Sequence, residues 1–401
     1  MDSQELLNKK GFCILPFVHS CIWQNGLANP CCMNHFVLGK LVNNSIEEIY
    51  SSKNDTLTNF RKSFVTDELH ESCYKCKDTE YYGGNHSYRL ESNRKYGYLL
   101  DNFDSEEQLI NNEKMFLWDV RFSNLCNLKC LICQPLDSSR IAEEENEGGL
   151  KNAFDDVDDF IKYFEKHIDT VTEMYFAGGE PLLIKDQYKI LELLIEHKKF
   201  DVTLRYNTNG TTISLGNKNI VDLWKQFKNV RISVSIDAGW EQFEYIRYGA
   251  NWEETVSNLK YIRKNAPDVK IILGVAVTIL NLFYTKELYN FFVKEGVINE
   301  GSMHFMQVHG KDYYRSANLP DDLKEKALKY YADWQLELQV QDNKDTKTMI
   351  DEIKLLQNLI KVPVSNELLS KLKIRTEHKD QIRKTDFYKT FPVLKDLFKN
   401  V

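Results

Sequence analysis

Three cysteines fall within eight residues in Cys126-Asn127-Leu128-Lys129-Cys130-Leu131-Ile132-Cys133. Thiolates are soft ligands, suited to iron–sulfur clusters or to zinc. A loop of this length can wrap three corners of a cubane and leave a fourth iron open to a small molecule. Structural zinc asks instead for four closed ligands, and neither a histidine nor a fourth cysteine stands near the triplet in sequence. The chain has nine cysteines, and all precede Gln134. Core cysteines would scatter. Clustering in the first third of the chain points to metal or cluster ligation, and an odd number argues against a disulfide framework.

The middle of the chain must hold that loop. Residues 111–310 contain six short runs rich in apolar and β-branched residues: Met115–Phe122, Val171–Phe176, Asp201–Asn207, Val230–Ile236, Lys270–Thr278 and Met303–Val308. Between them, apolar residues recur at helical spacing. Phe154, Val157, Phe160, Ile161, Phe164 and Ile168 form one such set, and Trp252, Val256, Leu259 and Ile262 another. Alternation of strand and helix implies parallel strands with right-handed crossovers. The expected fold class is α/β, a partial (β/α)6 TIM-like barrel. Function in such a barrel gathers at the carboxyl ends of the strands. The chemically unusual residues fall there: the cysteine triplet, Gly178-Gly179-Glu180-Pro181, Asn207-Thr208-Asn209-Gly210, Ser235 with Asp237, Thr278 with Asn281, and His304, Gln307 and His309.

The C-x3-C-x2-C spacing after a first strand resembles the signature of the radical S-adenosylmethionine superfamily. Gly178-Gly179-Glu180-Pro181 is similar to the family's motif after the second strand. The resemblance implies that Cys126, Cys130 and Cys133 ligate a four-iron four-sulfur cluster. It also implies that Gly178, Gly179, Glu180 and Pro181 meet the amino group of S-adenosylmethionine. Glycines let backbone approach a ligand closely, and carbonyls and carboxylates accept from an ammonium. Ser235 and Asp237 stand where the family contacts the cofactor's ribose and carboxylate. Arg247 stands where relatives keep an arginine near that carboxylate, for which a planar fork of donors is apt; a surface salt bridge is the plainer alternative. Asn209 is grouped with the cofactor residues, although an Asn-Gly turn accounts for it equally. One position departs from the pattern: Ile132 replaces the aromatic residue common before the third cysteine. The implied chemistry is reductive cleavage of S-adenosylmethionine and hydrogen abstraction from an unactivated carbon.

The N-terminal cysteines resemble a twitch or SPASM-type auxiliary cluster domain, here preceding the barrel. Cys13, Gly26 and Cys31 match its opening, and Cys73 and Cys76 its middle. The later cysteines of the full pattern are absent, which implies one auxiliary four-iron four-sulfur cluster on Cys13, Cys31, Cys73 and Cys76. Cys21 and Cys32 are the passed-over candidates, and a zinc ribbon is the rival for the four. The expected domains are 11–95, an α+β auxiliary-cluster domain; 111–310, the barrel; and 311–401, a helical C-terminal segment. In that last segment Leu323, Ala327, Tyr331, Trp334 and Leu338 share one helical face. The basic stretch Lys371–Lys389 is expected to be a solvated face. Thr385-Asp386-Phe387 to Phe391-Pro392 resembles a tail seen in twitch-containing radical proteins.

Net charge is −7 and the hydrophobic share 42%, which favours a folded protein and disfavours broad nucleic-acid coating. The polar N-terminus and the lack of a membrane-length apolar run predict a cytoplasmic protein. The expected substrate is a peptide or amino-acid-type molecule, altered by epimerisation, crosslinking or oxidation. A flavodoxin or ferredoxin is the expected reductant. A nucleobase, or an amino acid linked to one, is the alternative substrate. A non-catalytic iron–sulfur or zinc scaffold is the alternative of another class.

Overall fold

The computed structural model describes residues 1–81, 87–308, 310–341, 344–363, 365–399 and 401, so His309 lies outside the described residues. The chain forms two compact units. One comprises Met1–Leu125, Gly148–Tyr206 and Lys225–Asn229, the other Cys126–Glu147, Asn207–Trp224 and Val230–Val401.

In the first unit, Leu117–Val120 pairs in parallel with Glu173–Phe176, which pairs in parallel with Thr203–Thr208. On its other edge Leu117–Val120 pairs in parallel with His19–Ile22. Leu27–Asn29 and then Gly39–Lys40 extend that edge antiparallel. The cysteine-rich segment thus contributes strands to the same sheet, which is why the compact units do not follow the 11–95, 111–310 and 311–401 segments. Strand side chains alternate between faces. Trp118, Val120, Met174, Phe176 and Leu204 are buried. Trp118 meets Phe160 and Phe164 edge-on, with ring centroids 5.7 and 5.2 Å apart. These two phenylalanines come from the helix Val157–Lys166, which starts where Asp156 accepts from the Asp158 amide. The opposite face carries Cys21, Asp119, Tyr175 and Arg205 in one register row.

In the second unit, Asn229–Ser235, Lys270–Val277 and Met303–Gln307 are consecutive parallel strands. The helix Trp252–Asn265, capped by Asn251, buries Trp252, Val256, Leu259 and Ile262. The helix Asp321–Gln341 buries Leu323, Ala327, Tyr331, Trp334 and Leu338 as their spacing predicts. All six expected strands form, with helices between them, and the α/β reading stands.

The solvated face expected for Lys371–Lys389 needs correction. Helix Asn366–Arg383 buries Lys379 and Arg383, at 5% and 6% exposure, because both reach carboxylates. The tail that follows buries Phe387 and Phe391; Phe391 packs on Tyr245 with ring centroids 5.1 Å apart. Among the described residues no helix is long and apolar enough to cross a membrane.

Candidate metal centre and cofactor site

The cysteine loop of the second unit is tied down by its backbone. Lys129–Cys130 pairs antiparallel with Arg247–Tyr248, setting Cys130 opposite Arg247. The Leu131 amide donates to the Ile246 carbonyl at 2.9 Å. Ser138 Oγ donates to the Leu128 carbonyl at 2.9 Å, and Ser139 Oγ accepts from the Cys126 amide at 3.3 Å. Asn209 Nδ2 donates to Asn127 Oδ1 at 2.9 Å, so the Asn-Gly turn braces the loop. Cys126 and Cys130 are buried and Cys133 half-buried.

Donors point at the sulfurs. The Leu128 amide lies 3.5 Å from Cys126 Sγ, and Arg247 Nη1 lies 3.7 Å from Cys130 Sγ. The Cys130 thiol is lowered to about 7, first by its hydrogen bond with Cys133 and then, against burial, by the Arg247 charge. The same shared proton, with burial, pushes Cys133 well up. Arg247 Nε is buried without a hydrogen-bond partner. Three thiols on one loop, sulfur-directed donors and an orphaned guanidinium N–H fit a thiolate-ligated cluster with an anionic ligand beside it. Among the described residues, no three His, Cys, Asp or Glu side chains gather to hold a single metal ion. A cubane differs in taking one thiolate per iron.

The structure joins two residues that the sequence had treated separately. Asp237, fully buried, lies 2.9 Å from Arg247 Nη2, while its Oδ1 accepts from the Ala276 amide at 2.9 Å. Asn281 Nδ2 donates to the Asp237 carbonyl at 2.9 Å. Asp237 therefore aims Arg247. Ser235 closes its strand opposite Gly274 and is half-buried.

The glycine motif belongs to the first unit. The Gly179 amide donates to the Ser123 carbonyl at 3.1 Å and the Glu180 amide to that of Leu125 at 2.7 Å. These acceptors immediately precede Cys126 in the chain. Gly178 has φ +122°, and a Cβ on Gly179 would run into the Leu125 carbonyl. Only glycine meets both demands. Glu180 is fully buried and, through Oε1, accepts from the Leu182 amide at 3.0 Å, capping the turn that Pro181 opens.

Among the N-terminal cysteines, Cys13 lies within electrostatic reach of Cys73 and Cys76, and Cys31 of Cys13 and Cys73. Burial raises all four, Cys73 to about 11, so ligation must displace protons. Asn34 Nδ2 donates to Cys73 Sγ at 3.2 Å. The passed-over pair has side-chain partners of its own, although Cys31 also feels Cys32, and Cys21 feels both. Cys21 Sγ donates to Asp119 Oδ2 at 3.5 Å, and Cys32 bonds the Tyr88 hydroxyl near Asp119 and Arg121. Sequence reasoning missed that polar row, although its signal was present. Asp119 and Arg121 alternate on a strand whose neighbours Trp118 and Val120 are apolar. Arg121 bonds Asp119 through Nε and Nη2 at 3.2 and 3.3 Å.

Residues 120–291 match the sequence-family model of the Radical SAM superfamily, and residues 13–77 that of SPASM, an iron-sulfur cluster-binding domain. The GTP 3',8-cyclase of Campylobacter lari is 31% identical over 119 residues, covering 29% of this chain and 33% of that protein. The GTP 3',8-cyclase of Aliarcobacter butzleri is 27% identical over 119 residues, covering 29% and 33%. The matched region spans about a third of the length of these curated relatives. Among solved structures, anSMEcpe with bound AdoMet and Cp18Cys peptide is 18% identical with a TM-score of 0.41, covering 57% of this chain and 61% of that one. Streptococcus suis SuiB bound to precursor peptide SuiA is 15% identical with a TM-score of 0.37, covering 70% and 63%.

Proposed function

The chain belongs to the radical S-adenosylmethionine superfamily and carries a SPASM-type auxiliary iron–sulfur domain, and on that premise we propose that it abstracts hydrogen from a peptide or amino-acid-type substrate. When bound, the cluster and S-adenosylmethionine would supply one-electron reductive chemistry that starts hydrogen abstraction. This chain's residues do the rest. Cys126, Cys130 and Cys133 would hold the cluster, Arg247 would offset thiolate charge, and Asp237 fixes Arg247. The Gly178–Pro181 turn offers backbone to the cofactor's amino group. Cys13, Cys31, Cys73 and Cys76 would hold the auxiliary cluster. A flavodoxin or ferredoxin supplies the electron. The observations that carry the reading are the thiol triplet with sulfur-directed donors and, in the first unit, a glycine turn bonded to the Ser123 and Leu125 carbonyls.

Reconstituted protein given S-adenosylmethionine and dithionite without oxygen should form 5′-deoxyadenosine, and replacing Cys126, Cys130 and Cys133 by Ala should abolish it. Equal turnover by the triple variant would sink the proposal. The sequence relatives favour one second reading, a nucleotide substrate. Deuterium passing from labelled GTP into 5′-deoxyadenosine would establish that reading over the peptide one.

A further inference from the structure

The C-terminal helix Asn366–Arg383 brings cations to the segment that follows the cysteine triplet. Glu144 ends the helix Ser139–Glu144. It accepts from Lys379 Nζ and, at 3.1 and 2.8 Å, from Arg383 Nε and Nη2. Glu145 lies 3.5 Å from Lys311, 3.6 Å from Lys379 and 3.5 Å from Arg375. Lys311 Nζ also donates to the carbonyl of Leu131, between Cys130 and Cys133, at 3.2 Å. The Arg383 guanidinium lies 4.9 Å from the Tyr248 ring centroid, and the Tyr248 hydroxyl donates to the Arg383 carbonyl at 3.2 Å. Tyr248 is itself paired with Lys129, next to Cys130.

The charges here do not balance. Lys311, Lys379 and Arg383 are 7%, 5% and 6% exposed. With half-exposed Arg375 and Lys129 they make five cations around two carboxylates, Glu144 and Glu145, and Arg383 Nη1 is buried without a hydrogen-bond partner. Buried cations persist only where opposite charge compensates them. Thiolates ligating an iron–sulfur cluster bring negative charge to this place. We propose that Lys311, Lys379 and Arg383 are positioning residues for the cluster on Cys126, Cys130 and Cys133, which makes the C-terminal helix part of the cluster site.

The inference rests on the assignment of those three cysteines. Its test is the reconstituted full chain carrying Lys379→Met with Arg383→Met, beside Lys311→Met. Glu377→Gln, an exposed charge change on the same helix, is the control. One readout is iron release to a chelator. The other is the midpoint potential of the cluster whose paramagnetic signal responds to S-adenosylmethionine. Loss of outer partners costs about ten- to a hundredfold in metal retention, so release should quicken by that factor. The potential should fall, because removing positive charge makes adding an electron harder. Arg383→Lys keeps the charge and should restore most of the potential. Should the double variant not fold, Lys311→Met and Arg383→Lys carry the test. Release and potential at wild-type values, even with a lowered melting temperature, overturn the proposal by reducing the helix to packing. A wild-type chain with no responsive cluster overturns the cysteine assignment, and this proposal with it.

Discussion

At Arg247 one side chain serves two neighbours. It lies 3.7 Å from Cys130 Sγ and 2.9 Å from Asp237. Glu180, by contrast, is spent on capping its own turn. The two substitutions should therefore differ. Glu180→Ala should weaken S-adenosylmethionine binding while iron stays near wild type, because the turn loses its cap but no sulfur loses a donor. Loss of a charge-assisted contact costs about 1.5–3 kcal/mol, roughly ten- to a hundredfold in affinity. Arg247→Ala should lose affinity by a similar factor and lose iron as well, since it leaves buried Asp237 unpaired and removes a donor from Cys130. Isothermal titration beside iron analysis distinguishes them. Unchanged cofactor affinity in both variants would mean that the pocket lies elsewhere.

At the scale of elements, what local pattern encodes was legible and what distant pairing encodes was not. The six strands and the helix faces of Phe160 and Trp252 follow from periodicity. The cysteine and glycine motifs follow from spacing. The parallel pairing of His19–Ile22 with Leu117–Val120 joins residues about a hundred positions apart, and no local period announces it. The basic helix misled for the same reason. Its partners Glu144 and Glu145 lie more than two hundred residues upstream, so Lys379 and Arg383 look solvated until the fold brings them in. This ion-pair cluster yields a pH prediction. Burial raises Glu144, but Arg383 and Lys379 overcome it and hold the carboxyl at about 2, against 4.5 unperturbed, with Lys129 3.8 Å away. A depressed carboxyl stabilises the fold above its unfolded value, and that stability is lost as pH falls through the folded value. The melting-temperature advantage of the wild type over Glu144→Gln should be complete above pH 4.5 and shrink towards pH 2. A constant advantage across that interval would assign the effect to shape rather than charge.

Across the whole molecule the cysteines divide by environment. Three sit on the loop from Cys126 to Cys133. Four more, Cys13, Cys31, Cys73 and Cys76, are linked by charge through Cys13 and Cys73, and Cys31 also feels Cys32. The remaining two, Cys21 and Cys32, are engaged by Asp119 and Tyr88. Four thiols can close a cubane or a tetrahedral zinc site. The match of residues 13–77 to an iron–sulfur domain favours the cubane. A protein in which Cys126, Cys130 and Cys133 are all Ala decides the matter, because any metal left must be held elsewhere. That variant should bind about four irons and four sulfides per chain, as expected of a cubane on cysteines. It should absorb as an iron–sulfur protein and release no 5′-deoxyadenosine, since four thiolates leave no iron open. Adding Cys73→Ala and Cys76→Ala should remove the iron, whereas adding Cys21→Ala and Cys32→Ala instead should leave it. Stoichiometric zinc without iron uptake, after anaerobic purification, would hand the site to zinc. Iron that survives loss of Cys73 and Cys76 but not of Cys21 and Cys32 would mean that the wrong pair has been chosen.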